Sequence, residues 1–252
     1  MQIHPTALIE DGARLASGCV IHAYAVVRRH CELAEGVVVH PFAVVGGDPQ
    51  DLSFDAATPS GVRIGPRSVI REHVTVSRAT KAHAFTEVGA DCFLMASCHV
   101  AHDCRIGEGV IIANAVLMAG HVHVGDRAIL GGGAVIHQFT RIGESAMIGG
   151  GSRIGLDIPP FSMAVERNSL IGLNVVGMRR RGFKREVVEE IKAAFRAISV
   201  SVGNPREIAA SALRSGEFVT AEARTFLEFF QAGRRGFPRV RRASADEASE
   251  AD

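Results

Sequence analysis

The 252-residue chain has no tryptophan and a single tyrosine, and aromatic residues make up only 6% of it. Large rings fill much of the volume in most globular cores. Their scarcity predicts a narrow core of aliphatic side chains. No run of about 18 apolar residues occurs, which excludes a membrane-spanning helix. The opening stretch MQIHPTALIEDGARL lacks a basic segment followed by an apolar one, so no export signal is expected. Cysteine is sparse and odd in number, five in all, which without such a signal predicts reduced thiols and a cytoplasmic location. Strong charge of either sign is missing as well: the net charge is +1, and 47% of residues are hydrophobic. That is the composition of a folded domain, not of a disordered chain.

What the chain does have is a period of six. Aliphatic residues recur at Ile3, Ile9, Leu15, Ile21, Val27, Leu33, Val39 and Val45, then at Ile64, Ile70 and Val76. The beat then runs unbroken from Val88 every sixth residue to Ile154, and all 23 positions are Ile, Leu, Val or Met. Gly follows directly at 65, 89, 107, 125, 131, 143, 149 and 155, where it is expected to permit a tight corner. Four residues after each aliphatic, the side chain is mostly small, as at Ala7, Ala25, Ala43, Ala128, Ala134 and Ser152. Neither a helical period of 3.6 nor simple alternation gives this pattern. A short strand and a turn per six residues does, with three such units per 18-residue coil and coils stacked about 4.8 Å apart. The expected fold is therefore a parallel β-helix over residues 1–160.

The stretch CHVAHDC (98–104) would read as a metal site on composition alone. However, Cys19, Cys31, Cys92, Cys98 and Cys104 all occupy the small slot four residues after an aliphatic. Their common phase makes them packing residues. Two breaks in the beat, near 46–62 and 77–87, are expected to leave the prism as loops that carry binding residues. Beyond Pro159-Pro160 the period gives way to helical spacing, predicting an α-helical domain over 161–240 and a polar, disordered tail over 241–252. From Met178 to Arg242 there are 15 Lys and Arg against 7 Asp and Glu, a net +8; residues 1–160 carry 12 against 15, a net −3. The helical part is thus a basic patch suited to an acidic partner. No motif or stacking aromatics support nucleic acid.

With 18 residues per coil, His102, His121 and His137 fall on one face in consecutive coils. His99 sits at the corner leading into that face, and Asp103 stacks under His121. A histidine beside a carboxylate fits a general base; three imidazoles could alternatively ligate zinc.

The β-helical repeats carrying AHDC, NAVLMAGHVHVGD, GAVIHQF, PPF and MRRRGF resemble the UDP-N-acetylglucosamine acyltransferases of lipid A biosynthesis, over nearly the whole chain. The resemblance implies a left-handed β-helix followed by a small helical domain. It also implies a homotrimer with active sites between subunits. The reaction implied is transfer of a 3-hydroxyacyl chain from acyl carrier protein to the 3-hydroxyl of a UDP-sugar, with no cofactor or metal. By motif, His102 is the implied base, Asp103 its partner and the Gly120 N–H the oxyanion donor. His99, His121, His137 and Gln138 are implied to position substrate, and Gln50, Asp51, Asn174, Arg180 and Arg181 to contact the sugar nucleotide. Gly150 is the implied limit on acyl-chain length.

Three positions depart from the family pattern: Ser77 in VTVSR replaces a histidine, Ser53 replaces a lysine after QDL, and Val176 replaces a glutamate. They thin the polar contacts to the sugar and leave a 3-amino acceptor as an alternative to a 3-hydroxyl. A zinc hydratase of the γ-carbonic anhydrase type is a further alternative, although it would not need the helical domain. A β-helical binding or ice-surface protein would need an array of repeated Thr on one face, and none is visible.

Overall fold

The computed structural model describes residues 1–201 and 203–239. The expected tail at 241–252 and position 240 of the helical domain lie outside these residues. Strands of mostly two residues stack into three parallel sheets, the walls of a triangular prism. This is a left-handed parallel β-helix. Wall A holds Gln2–Ile3, Val20–Ile21, Val38–Val39, Val69–Ile70, Phe93–Leu94, Ile111–Ile112, Ile129–Leu130 and Met147–Ile148. Wall B includes Thr75–Ser77, His99–Val100, Leu117–Met118 and Val135–Ile136. Wall C includes Gly61–Ile64, Phe85–Val88, Arg105–Ile106, His123–Val124 and Arg141–Ile142. The register is one coil per step: Ile111 pairs with Ile129, and Leu117 with Val135.

The second residue of each pair points inward. From Ile21 to Ile154 the periodic aliphatics are 4% exposed or less, and the cluster they form contains no aromatic ring. The first coil is open at its end, where Ile3 is 44% exposed. Removing most of an interior side chain, as in Leu130→Ala, would cost about 2–5 kcal/mol, because a stacked prism cannot collapse onto the gap. All five cysteines are free and buried. Burial pushes the Cys31, Cys98 and Cys104 thiols up to about 12.

The corner chemistry differs from the sequence expectation. The glycines at 65, 89, 107, 125, 131 and 143 do not adopt a left-handed conformation; a Cβ on any of them would collide with the next coil, whereas Gly46 after Val45 is left-handed with φ 88°. A Cβ on Gly89 would lie 2.5 Å from the Gly107 carbonyl oxygen. The left-handed residue comes two positions later and is often not glycine: Ser97, Asp103, His121, Arg127 and Phe139 all have φ between 55° and 66°. Each non-glycine in that region costs roughly 1–2 kcal/mol, which the ladder on both sides sustains.

The sheet also continues past the expected boundary at 160. Ser162–Val165 adds to wall A beside Met147–Ile148, and Ser169–Leu173 pairs with it antiparallel. Pro159-Pro160 ends the six-residue beat without ending the ladder, because wall A still has an open edge to pair. The helices then follow: α1 (Val175–Arg180), α2 (Arg185–Val200), α3 (Pro205–Ser215) and α4 (Ala221–Glu228). Pro205 begins α3, and Gly216, with φ 74°, caps it. Here the aromatics collect: Phe161, Phe218, Phe226 and Phe230 join Met178, Val188, Ile191 and Leu227 in a second core. Arg206 of the basic patch is built into this domain, donating to the carbonyls of Phe230 (3.4 Å) and Gly233 (2.6 Å).

Candidate active site

Both loops and the histidine strip emerge from one edge of the prism, where wall B turns into wall C. The first loop leaves the strand Val44–Gly47 of wall B and returns as Gly61–Ile64 of wall C; the second links Thr75–Ser77 to Phe85–Val88. Residues 101–104, 119–122 and 137–140 form the same corner in successive coils. The αL backbone of Asp103 and His121 turns those side chains outward into one column, which Phe139 continues.

His102 Nδ1 lies 2.8 Å from Asp103 Oδ2, and both side chains are 13% exposed. Asp103 is itself held. The Thr80 hydroxyl donates to Oδ2 at 2.7 Å and the Thr80 N–H at 3.2 Å, while the Asp103 N–H donates to Thr86 Oγ1 at 2.9 Å. Burial alone would raise the Asp103 carboxyl, but the bonds from Thr80 and His102, with His121 nearby, outweigh it and hold it below the usual range. Asp103 therefore remains a carboxylate that fixes the His102 tautomer, with Nδ1–H toward the acid and Nε2 free to accept a proton.

Gly120 completes the arrangement. A Cβ there would stand 2.5 Å from His102 Cε1 and 2.6 Å from Nε2, so the imidazole lies where only glycine leaves room. The Gly120 N–H has no acceptor among the described residues. One coil on, the His121 ring meets His102 edge-on at 5.2 Å and stacks on Phe139 at 4.6 Å. Its Nε2 is 3.7 Å from Asp103 Oδ2. Burial keeps His121 and His99 below the ordinary imidazole value, with the charge of His102 acting in the same direction on both. His99 lies within a strand of wall B, not at the corner itself, and its Nδ1 is 2.7 Å from Thr75 Oγ1. His137 and Gln138 follow on the next coil, with His137 Nδ1 3.2 Å from the Gln138 carbonyl.

The donor atoms of His102, Asp103 and His121 lie within 4.8 Å of one another, close enough to share a cation. Their hydrogen bonding suits proton transfer better. Asp103 Oδ2 already accepts from Thr80 and from His102 Nδ1, so a metal there would have to displace the contacts that orient the ring.

The first loop brings Gln50 and Asp51 to this edge. Ser53, one of the departures, turns out to brace Asp51: its N–H and hydroxyl donate to Asp51 Oδ1 at 2.9 and 2.8 Å. Those two bonds, with a smaller pull from His102, hold the Asp51 carboxyl low. The loop is tied down by a residue that sequence reasoning passed over, Arg78. It is 5% exposed, donates to Asp48 Oδ1 at 2.9 Å and to the carbonyls of Thr58 and Ala56, and lies over the Phe54 ring. The only signal was an arginine directly after a periodic strand.

The remaining predicted residues lie elsewhere in the protomer. Gly150 sits on the edge between walls A and B, beside Gly132. Asn174 is 8% exposed and caps α1, accepting from the Gly177 N–H at 2.9 Å and donating to the Ser145 carbonyl at 3.2 Å. Arg181 bonds the Ser145 hydroxyl, is 3.6 Å from Glu144 and lies over Phe183, at the edge between walls C and A. Arg180 is exposed at the end of α1. Val176 is 60% exposed.

A prism of six-residue repeats with a carboxylate-braced histidine on its edge and a helical cap defines a hexapeptide-repeat acyltransferase. Residues 85–120 match the model for the bacterial transferase hexapeptide (six repeats), and residues 157–237 match that for domain 2 of UDP-N-acetylglucosamine O-acyltransferase. The chain is 36% identical over 201 residues to the acyl-[acyl-carrier-protein]–UDP-N-acetylglucosamine O-acyltransferase of Janthinobacterium sp. (strain Marseille), covering 77% of this chain and 76% of that one. The solved UDP-N-acetylglucosamine acyltransferase from Campylobacter jejuni superposes with TM-score 0.83 at 37% identity, covering 95% and 100% of the two chains. That from Bacteroides fragilis superposes with TM-score 0.86 at 34% identity, covering 94% and 100%. The chain belongs to the UDP-N-acetylglucosamine acyltransferase family.

Proposed function

We propose that this protein transfers a 3-hydroxyacyl chain from acyl carrier protein to the 3-hydroxyl of UDP-N-acetylglucosamine in the cytoplasm, the first step of lipid A biosynthesis. The observation that carries the reading is the 2.8 Å contact between His102 Nδ1 and Asp103, with the other face of the imidazole against the side-chain-free Gly120. In this reading His102 Nε2 accepts the proton of the sugar hydroxyl as its oxygen attacks the thioester carbonyl. The new oxyanion takes a hydrogen bond from the Gly120 N–H. The C–S bond then breaks, and the departing thiolate recovers the proton from His102. A thioester is already activated, so a base and one oxyanion donor suffice. His99, His121, His137 and Gln138 line the approach to the base. Gln50 and Asp51, with Asn174, Arg180 and Arg181, are assigned to the sugar nucleotide, the arginines to its diphosphate. Gly150 limits the acyl chain.

The outer surface supports a homotrimer. Wall A presents Val20, Val38, Val69, Phe93, Ile111, Ile129 and Met147, and wall B presents Leu8, Val26, Val44, Leu117 and Val135, interrupted by Thr75, His99 and Arg153. Wall C presents Arg14, Glu32, Arg63, Glu87, Arg105, His123 and Arg141. Two mainly apolar walls sharing an edge suit a head-to-tail contact, A against B, which closes as a ring of three. That packing sets the edge bearing His102 beside the neighbour's edge bearing Arg181. It would unite residues that a single protomer keeps apart.

The test is mass spectrometry of products from acyl carrier thioesters of several chain lengths with UDP-N-acetylglucosamine and its 3-amino analogue. An ester product supports the reading. Exclusive amide formation on the analogue would replace it with the N-acyl alternative.

A further inference from the structure

After α4 the chain forms a short 3-10 turn, Phe229–Gln231, and then a strap that runs back to the histidine edge. The strap is heavily anchored. Asp157, fully buried, pairs with Arg141 at 2.8 Å and accepts the Arg141 N–H at 2.9 Å. Arg141 donates onward to the carbonyls of Phe229 (2.9 Å) and Ala232 (2.8 Å) and lies 4.1 Å over the Phe229 ring. Gly233, at φ 94°, passes so close to this ion pair that a Cβ would overlap the Asp157 carboxylate. The Asp157 N–H donates to the Gly236 carbonyl at 2.9 Å, and Arg235 Nε donates to the Gly155 carbonyl at 2.9 Å.

These anchors deliver Arg234, which makes no hydrogen bond or ion pair among the described residues. Arg234 is exposed, and its guanidinium lies 5.9 Å from the Phe139 ring, which stacks on His121. No carboxylate lies within ion-pair distance of it among the described residues. Arg235 stands beside it, above Gly155, one coil beyond His137. A fixed strap that holds an uncompensated guanidinium at the end of a catalytic strip is the arrangement expected of an anion subsite. Phe139 is two coils from Asp103, so Arg234 stands about 10 Å along the prism from the base. That offset fits a phosphate separated from the reacting atom by several bonds. It does not fit the reacting group itself.

We infer that Arg234, positioned by the Asp157–Arg141–Gly233 lock and assisted by Arg235, binds the phosphate oxyanion of a substrate. The inference rests on the acyl-transfer reading above, in which both substrates carry phosphate: the diphosphate of the sugar nucleotide and the phosphodiester of the carrier's arm. The test is steady-state kinetics of Arg234→Gln and Arg234→Lys in the full-length protein. Donors would be acyl-carrier protein, an acyl-phosphopantetheine and an acyl-pantetheine lacking phosphate, each against UDP-N-acetylglucosamine. Arg234→Gln is expected to raise KM about tenfold for the substrate whose phosphate it holds, with kcat within about twofold, and Arg234→Lys to recover part of the loss. If the phosphate is the donor's, the KM penalty appears with acyl-phosphopantetheine and vanishes with acyl-pantetheine. If it is the nucleotide's, KM for the UDP-sugar rises with every donor. Unchanged KM values for both substrates, with wild-type turnover intact, would overturn the subsite and leave the proposed function standing. A wild type that turns over neither acceptor would overturn both.

Discussion

Walls A and C of the prism are alike inside and opposite outside. Inward, Ile112 and Leu130 of one wall and Ile106 and Val124 of the other are all buried, none more than 4% exposed. Outward, wall A carries Ile111 and Ile129 at the same rungs where wall C carries Arg105 and His123. The six-residue beat therefore specifies the prism and says nothing about its environment. The residue before each periodic aliphatic does: apolar there implies a covered wall, charged implies water. The edges differ in the same way. The one between walls B and C holds His102, Asp103 and His121 and, in earlier coils, sends out both loops, whereas the one between A and B holds Ala113, Asn114, Ala115 and Gly131, Gly132 and Gly133 at comparable heights.

The sharpest break of this comparison sets two histidines against each other. His102→Ala should lower kcat on the order of 10²–10⁴, the range for a positioned proton acceptor, without loss of fold. His123→Ala, on the charged wall, should stay within about twofold. Retention of more than about half of activity by His102→Ala removes it from the mechanism. Next come the walls. Ile111→Glu with Ile129→Glu should convert the proposed trimer into monomers, read by light scattering on a sizing column. Activity should fall by more than tenfold at low protein concentration. Arg105→Glu on wall C should leave both unchanged.

The third concerns the quiet edge. Gly150→Met fills space beside Gly132 and should shift donor preference from long to medium 3-hydroxyacyl chains by about 10- to 100-fold, at about 0.8 kcal/mol per displaced methylene. A chain-length profile that does not move puts the limit elsewhere.

A smaller effect probes the brace on the base. Asp103 is held low partly by Thr80, so its stabilising contribution is present above the usual carboxylate value of 3.8 and is lost as pH falls through its depressed value. Thr80→Val removes one donor and should let the Asp103 carboxyl rise toward its usual value. The Asp103 side-chain carboxyl signal, titrated by NMR in both proteins, should report that upward move. A shift downward, or none, would contradict the brace. The smallest effect is chemical silence. With Cys31, Cys98 and Cys104 thiols pushed up to about 12 and buried, thiol reagents should modify none of them until urea unfolds the prism.

The histidine edge was legible because its residues are local in the coil: positions 18 apart stack, so His102, Asp103 and His121 could be grouped by arithmetic, while Gly120 was picked out by its motif. Arg78 and Thr80 were not legible as supports, since they come from an irregular loop that no period governs. Gly233 and Arg234 were less so, lying more than 90 residues from the corner they reach. Arg206 is hidden from the sequence for a related reason. A basic residue in sequence looks available to a partner, and only packing revealed its bonds to Phe230 and Gly233. Asn174 was assigned to substrate from motif; in the protomer it also caps α1 against Ser145.

The prism, its core, the fate of the cysteines and the stacking of the histidine strip could all be read from the chain alone. Each of these depends only on a repeat whose register is enforced by burial, where a one-residue slip would expose every aliphatic. The tertiary structure decided where the breaks leave the prism, which edge the C-terminal strap reaches and which arginines it engages or leaves free. Those outcomes rest on hydrogen bonds and close contacts between segments far apart in the chain, and no local periodicity encodes them.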